Sequence, residues 1–131
     1  MKYLLAVSVL FFCCSEPAEK RKLVWSDEFN TAGIPDDTKW GYDIGTAENG
    51  WGNNELEYYT NDPKNVRVED GNLVIEAIKE SKEGMNYTST RIVSKNKGDW
   101  TYGRIEIRAK LPKGRGTWPA IWMLPTEWKY G

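Results

Sequence analysis

The 131-residue sequence contains no histidine, and its only two cysteines are neighbours, Cys13 and Cys14. Without imidazole, no mechanism can use that group as base, proton shuttle or zinc ligand. Adjacent cysteines are poor disulfide partners for each other, and no third one is available to build a disulfide framework. Neither sign of charge dominates. The 18 basic residues stand against 19 acidic ones, which gives no reason to expect nucleic acid as a partner. Long apolar runs are missing as well: residues 4–12 (LLAVSVLFF) make a run of nine, where a membrane-spanning helix needs roughly 20. No stretch of ten or more residues keeps a helical period free of Gly and Pro.

That short apolar run follows Lys2 and reads as the core of an export signal, with residues 1–13 as the signal peptide. Its end at Cys13-Cys14 resembles a bacterial lipoprotein signal, in which a cysteine after the run becomes the acylated N-terminus. Cys14 suits that role better than Cys13, because the residue before it is small Cys13 and not bulky Phe12. An ordinary secretory peptide cleaved nearby is the alternative. Residues 14–22 are polar after the cysteine and form a tether. The expected location is the bacterial cell envelope or the medium, with the lipid anchor as the only membrane contact.

From residue 23 onward the pattern is that of short strands. Ile105, Ile107, Ala109 and Leu111 alternate with Arg104, Glu106, Arg108 and Lys110, a strict period of two. Asp70-Gly71 lies between two β-rich runs within residues 66–77 and suits a tight hairpin turn. Residues 87–94 (YTSTRIVS) form another predicted strand. With Pro63, Pro112 and Pro125 as punctuation, the expected fold is an antiparallel all-β sandwich or barrel.

Aromatic residues are the surplus: 7 Trp, 7 Tyr and 3 Phe. Every indole brings a ring N–H that needs a partner when buried, so a small core does not easily absorb seven. Three segments concentrate them beside amides and charges: residues 50–60 (GWGNNELEYYT), 99–103 (DWTYG) and 116–125 (GTWPAIWMLP). Trp118 and Trp122 are four apart, which in a strand puts both on one face. Indole faces stack on the C–H faces of sugars, and amides, arginine and carboxylates bind hydroxyls. A groove with both kinds of group fits a sugar chain. The competing assignment of these indoles is to core or edge packing.

Residues 23–30 (LVWSDEFN), 50–60, 68–77 (VEDGNLVIEA), 100–111 (WTYGRIEIRAKL) and 117–125 (TWPAIWMLP) occur in that order. Together they resemble the N-terminal half of glycoside hydrolase family 16, of the laminarinase (endo-β-1,3-glucanase) type, over residues 23–131. The resemblance implies a concanavalin-like β-jelly-roll sandwich, here incomplete, with a glucan cleft on its concave face. It implies a retaining endo-acting hydrolase of β-1,3-glucan that is a monomer when complete. It also implies a catalytic strand carrying Glu-x-Asp-x-(x)-Glu, and no such motif occurs in residues 1–131. No catalytic residue is therefore assigned. Glu55 and Glu57 form an i, i+2 carboxylate pair, but one structural and one solvated carboxylate is the preferred reading, and Glu106 reads as an exposed strand residue beside Arg104 and Arg108.

By the same resemblance Asn53, Arg91, Trp118 and Trp122 are the substrate-binding residues. No cofactor is implied for catalysis. A structural calcium ion is implied on the convex side, with Glu28 and Gly71 matching two early ligand positions. A hard cation wants six or more oxygens, so these two alone would not hold it tightly. Two other functions stay open: a non-catalytic glucan-binding module, and a sister activity of the same fold such as β-1,3-1,4-glucanase or an agarase-like galactanase.

Overall fold

The computed structural model describes residues 21–127. The signal peptide, Cys14 and most of the tether lie outside that range. Six short strands carry the architecture: β1 Gly41–Asp43, β2 Glu57–Tyr59, β3 Val66–Glu69, β4 Asn72–Ile75, β5 Tyr87–Ser89 and β6 Arg91–Val93. Among the described residues the one helix-like segment is a wide turn at Gly50–Asn54, and no helix is long and apolar enough to cross a membrane.

The hairpin predicted from Asp70-Gly71 is present. Strands β3 and β4 pair antiparallel with Glu69 opposite Asn72. The two linking residues, Asp70 (φ 50°) and Gly71 (φ 70°), are both left-handed, the turn whose twist matches that of the flanking strands. The Asn72 amide donates to the Asp70 carbonyl at 2.8 Å and closes it. Val66 and Val68 point inward and are 1% and 5% exposed, while Arg67 points out and pairs with Glu69 (2.7 Å) and Glu76 (3.1 Å). The period of two is thus realised as apolar-in, charged-out.

The strand predicted over residues 87–94 divides. Strand β5 pairs in parallel with β2, and β6 pairs antiparallel with β1. Thr90 is the joint; it is buried and its hydroxyl donates to the Thr60 carbonyl at 2.8 Å. One of the three pairings is therefore parallel, where periodicity alone suggested an antiparallel arrangement throughout. A parallel partner must come from a crossover, and the segment between β2 and β5, hairpin included, supplies it.

The interior at this joint is polar. Asn65 is fully buried: its Oδ1 accepts from the Thr60 hydroxyl (2.7 Å), and its Nδ2 donates to the Glu76 carbonyl and to Thr88 Oγ1, both at 3.0 Å. The Thr88 hydroxyl in turn donates to Glu80. Each of these groups has a partner, the condition under which a buried polar network stabilises.

The alternating segment 104–111 does not form a strand. No ladder partner lies beside residues 103–113 among the described residues, and Ile105, Ile107 and Leu111 are 49%, 59% and 54% exposed. Period-two alternation records which faces a strand will present, but a ladder needs a second strand to bond to. Arg104 pairs with Glu106, so Glu106 sits in solvent as expected.

Candidate functional site

The site is built where the turn at Gly50–Asn54 meets β1 and β6. Asn49, Gly50, Trp51, Gly52 and Asn54 all have φ between 53° and 79°, a left-handed path that costs an ordinary L-residue about 1–2 kcal/mol. Glycine and asparagine adopt it readily; Trp51 does not, so the strain falls on it. Such strain is held by the surroundings. The Trp51 N–H donates to Thr46 O (3.0 Å), and its indole Nε1 donates to Gly45 O (3.3 Å). Gly45 is itself clamped to Tyr59 by two backbone bonds. Gly50 has no alternative residue: a Cβ there would lie 2.5 Å from the backbone nitrogen of Glu55.

The indole so placed lies against Arg91. The guanidinium carbon sits 4.5 Å from the Trp51 ring centre and 5.1 Å from that of Trp122, a double cation–π contact worth about 0.5–2 kcal/mol for each partner. Asp43 fixes the remaining freedom: Arg91 Nε donates to its Oδ2 at 2.9 Å, across the β1–β6 register that sets Asp43 opposite Arg91. The terminal guanidinium nitrogens have no hydrogen-bond partner among the described residues, so they remain donors for a ligand.

On the other side of Trp51 lies a carboxylate brace. Asn53 Nδ2 donates to Glu55 Oε1 (3.1 Å) and, more weakly, to Trp51 O (3.4 Å). The Tyr59 hydroxyl lies 2.7 Å from Glu55 Oε2 and 2.9 Å from Glu57 Oε1. Desolvation first, and then bonding to the two carboxylates, raise the Tyr59 pKa far above its ordinary value, so the phenol stays protonated and donates. Glu57 also accepts from the Leu56 N–H at 3.0 Å. Glu57 is therefore not the solvated member of the pair: both carboxylates are structural.

Of the four residues expected to bind substrate, Arg91 lies against both Trp51 and Trp122, and Asn53 sits on the same turn as Trp51. Trp118 is 93% exposed, and its ring stacks on no aromatic or cationic group among the described residues. Residues 117–125 are not paired into a strand, so the four-residue spacing that would align Trp118 with Trp122 is not imposed. Asp43 and Tyr59 carried no local signal; Asp43 is 48 residues from its partner. Five of the tryptophans fall into two groups, the pair at Arg91 and a second set of three. Trp25 packs edge-on against Trp40 and Trp100 with ring centres 5.3 and 5.4 Å apart, a separate aromatic cluster with Phe29 stacked on Trp40. The Trp40 indole donates to Asp27 (2.7 Å), whereas the buried Trp25 Nε1 has no partner among the described residues.

Glu28 lines a cavity of about 470 Å³ with Asp27, Asn30, Thr31 and Asp36. Gly71 is not among its walls, and Asp27 is already bonded to Trp40 and the Phe29 N–H. Among the described residues no group of three or more acidic, histidine or cysteine side chains could hold a metal ion. Glu28 and the Gly71 carbonyl supply two kinds of oxygen ligand, fewer than the six or more a hard cation takes.

The family described as beta-glucan synthesis-associated protein SKN1/KRE6/Sbg1 matches residues 12–127. A beta-glucanase of Rhodothermus marinus is 54% identical over 132 residues, covering all of this chain and 46% of that protein. The X-ray structure of the laminarinase from Rhodothermus marinus superposes with a TM-score of 0.80 at 60% identity, over 84% of this chain and 43% of that one. The crystal structure of SCLam, described as a non-specific endo-beta-1,3(4)-glucanase from family GH16, gives 0.57 at 52% identity, over 63% of this chain and 34% of that one. The chain spans less than half the length of these relatives.

Proposed function

Since the chain belongs to the beta-glucan synthesis-associated SKN1/KRE6/Sbg1 family and to glycoside hydrolase family 16 in its laminarinase form, we propose that it is the N-terminal part of an exported enzyme that hydrolyses internal bonds of β-1,3-glucan. The observation that carries this reading is the Arg91 guanidinium held between Trp51 and Trp122 by Asp43, with Asn53 exposed on the adjoining turn. Apolar ring faces beside fixed donors and an amide are the chemistry that a glucosyl unit requires. Trp118 is the exposed counterpart in this proposal, docking on the sugar when the rest of the cleft is formed. The cleaving carboxylates are assigned to no residue of 1–131. A structural calcium would need oxygens from outside residues 21–127 besides Glu28 and the Gly71 carbonyl. Cys14 is the acylated anchor to the bacterial cell envelope in the same proposal, and the complete protein is a monomer.

The test begins with the codons after 131. A Glu-x-Asp-x-x-Glu strand in frame is expected there, and an immediate stop would favour a glucan-binding module instead. The complete gene product is then assayed on laminarin, lichenan and agarose. Release of oligosaccharides from laminarin with retained anomeric configuration is expected, and inertness on laminarin would reject the reading. Arg91→Lys should raise KM about tenfold, since lysine keeps the charge but loses the planar stack and the fork.

A further inference from the structure

We propose that Glu55 is a positioning residue: it fixes the Asn53 amide with its carbonyl outward, so that this point of the cleft accepts a hydrogen bond from a sugar hydroxyl and does not donate one. The inference deepens the β-glucan reading and rests on it.

An asparagine side chain offers two donors and an acceptor, and nothing in its own geometry selects which end meets a ligand. Here the selection is made behind it. Asn53 Nδ2 is bonded to Glu55 Oε1 and reaches the Trp51 carbonyl, and both of those groups are acceptors only. Turning the amide over would set its carbonyl against a carboxylate and a carbonyl, a like-charge contact with no hydrogen between them. Among the described residues no donor reaches Asn53 Oδ1, which is left for the ligand.

Glu55 can enforce this because it cannot rotate away. Its second oxygen takes the Tyr59 hydroxyl at 2.7 Å, Tyr59 sits in β2 paired with β5, and its backbone is bonded twice to Gly45. The chain of contacts therefore runs from a strand pairing, through a phenol and a carboxylate, to one amide on a strained turn. Arg91, held by Asp43, presents only donors a few side chains away. The two positions together read a ligand hydroxyl as donor at one point and as acceptor at the other, which orients a sugar ring.

The experiment is an exchange of charge in the complete gene product, with a non-hydrolysable, sulfur-linked β-1,3-glucose hexasaccharide as ligand, Kd from calorimetry and Tm as the folding control. Asn53→Asp should weaken binding about tenfold at unchanged Tm, because the new carboxylate faces Glu55 without a hydrogen to share. Glu55→Gln alone should weaken binding about threefold, because its amide can present either its oxygen or its nitrogen to Asn53 and no longer selects one orientation. The double variant should recover to within about threefold of the parent, since the introduced glutamine donates to the introduced aspartate and accepts from Tyr59. A purely structural role for Glu55 predicts no such rescue. A double variant as weak as Asn53→Asp, or an Asn53→Asp variant that binds like the parent, overturns the proposal while leaving the β-glucan reading intact. A parent protein that does not bind the hexasaccharide overturns both.

Discussion

Asn65 ties together three segments of the fold through three hydrogen bonds made from a fully buried side chain. Replacing it with alanine strands the Thr60 hydroxyl, a Thr88 lone pair and the Glu76 carbonyl in a buried site. Each orphaned group costs about 1–3 kcal/mol, so Asn65→Ala should lower the unfolding free energy of the complete protein by about 3 kcal/mol, read from its urea midpoint at unchanged slope. Glu80 gives the matching pH dependence. Its bonds to Lys64 and then to Thr88 hold its pKa below the ordinary value of 4.5. A carboxyl with a lowered folded-state pKa stabilises fully above its unfolded value, and the contribution is lost as pH falls through the folded one. Glu80→Gln should accordingly weaken the protein at pH 7 and flatten its loss of stability below pH 4.5, measured by thermal melting across an acid series.

At the scale of elements, the left-handed turn and the hairpin are both written in adjacent residues. Asp70-Gly71 was legible because two consecutive positive φ values are a local requirement met by few residue pairs. The turn at Gly50–Asn54 was legible as glycines around an indole, but not as a strained path, because the groups that hold Trp51 there come from Thr46 and Gly45. Gly50→Ala should destroy this element: the new Cβ would meet the Glu55 backbone at 2.5 and 2.8 Å. Circular dichroism of the complete protein should keep its β signal, while hexasaccharide affinity falls at least about tenfold as Asn53, Glu55 and Trp51 lose register. An unchanged affinity would show that the turn does not place them. The segment 104–111 teaches the converse. Its alternation predicted one apolar and one charged face, but both are exposed, because pairing is a two-body property and its partner is not in the segment.

At the scale of the whole molecule, the described residues bury little apolar surface beyond Val66 and Val68. Ile105, Ile107, Leu111, Ile121, Met123 and Leu124 are each 44–73% exposed, on segments without strand partners. Exposed apolar surface and unpaired backbone of this kind drive association. Produced alone, residues 15–131 should form oligomers on size exclusion, show no cooperative thermal transition and release no sugar from laminarin. A monomer with a sharp transition would refute this and favour an autonomous binding module.

The sequence by itself determined the family, the all-β character and the hairpin turn. Those features are carried by ordered motifs, by a period of two and by residues with narrow backbone preferences, all of which are local. Only the tertiary structure decided that Arg91 is pinned by Asp43, that Trp51 completes the stack while Trp118 is left exposed, and that three other aromatic rings join Trp25 in a separate cluster. It also decided that Glu55 and Glu57 share a phenol. The physical reason is distance along the chain: a contact between residues 48 apart depends on how strands register against each other, and no pattern within either strand encodes it.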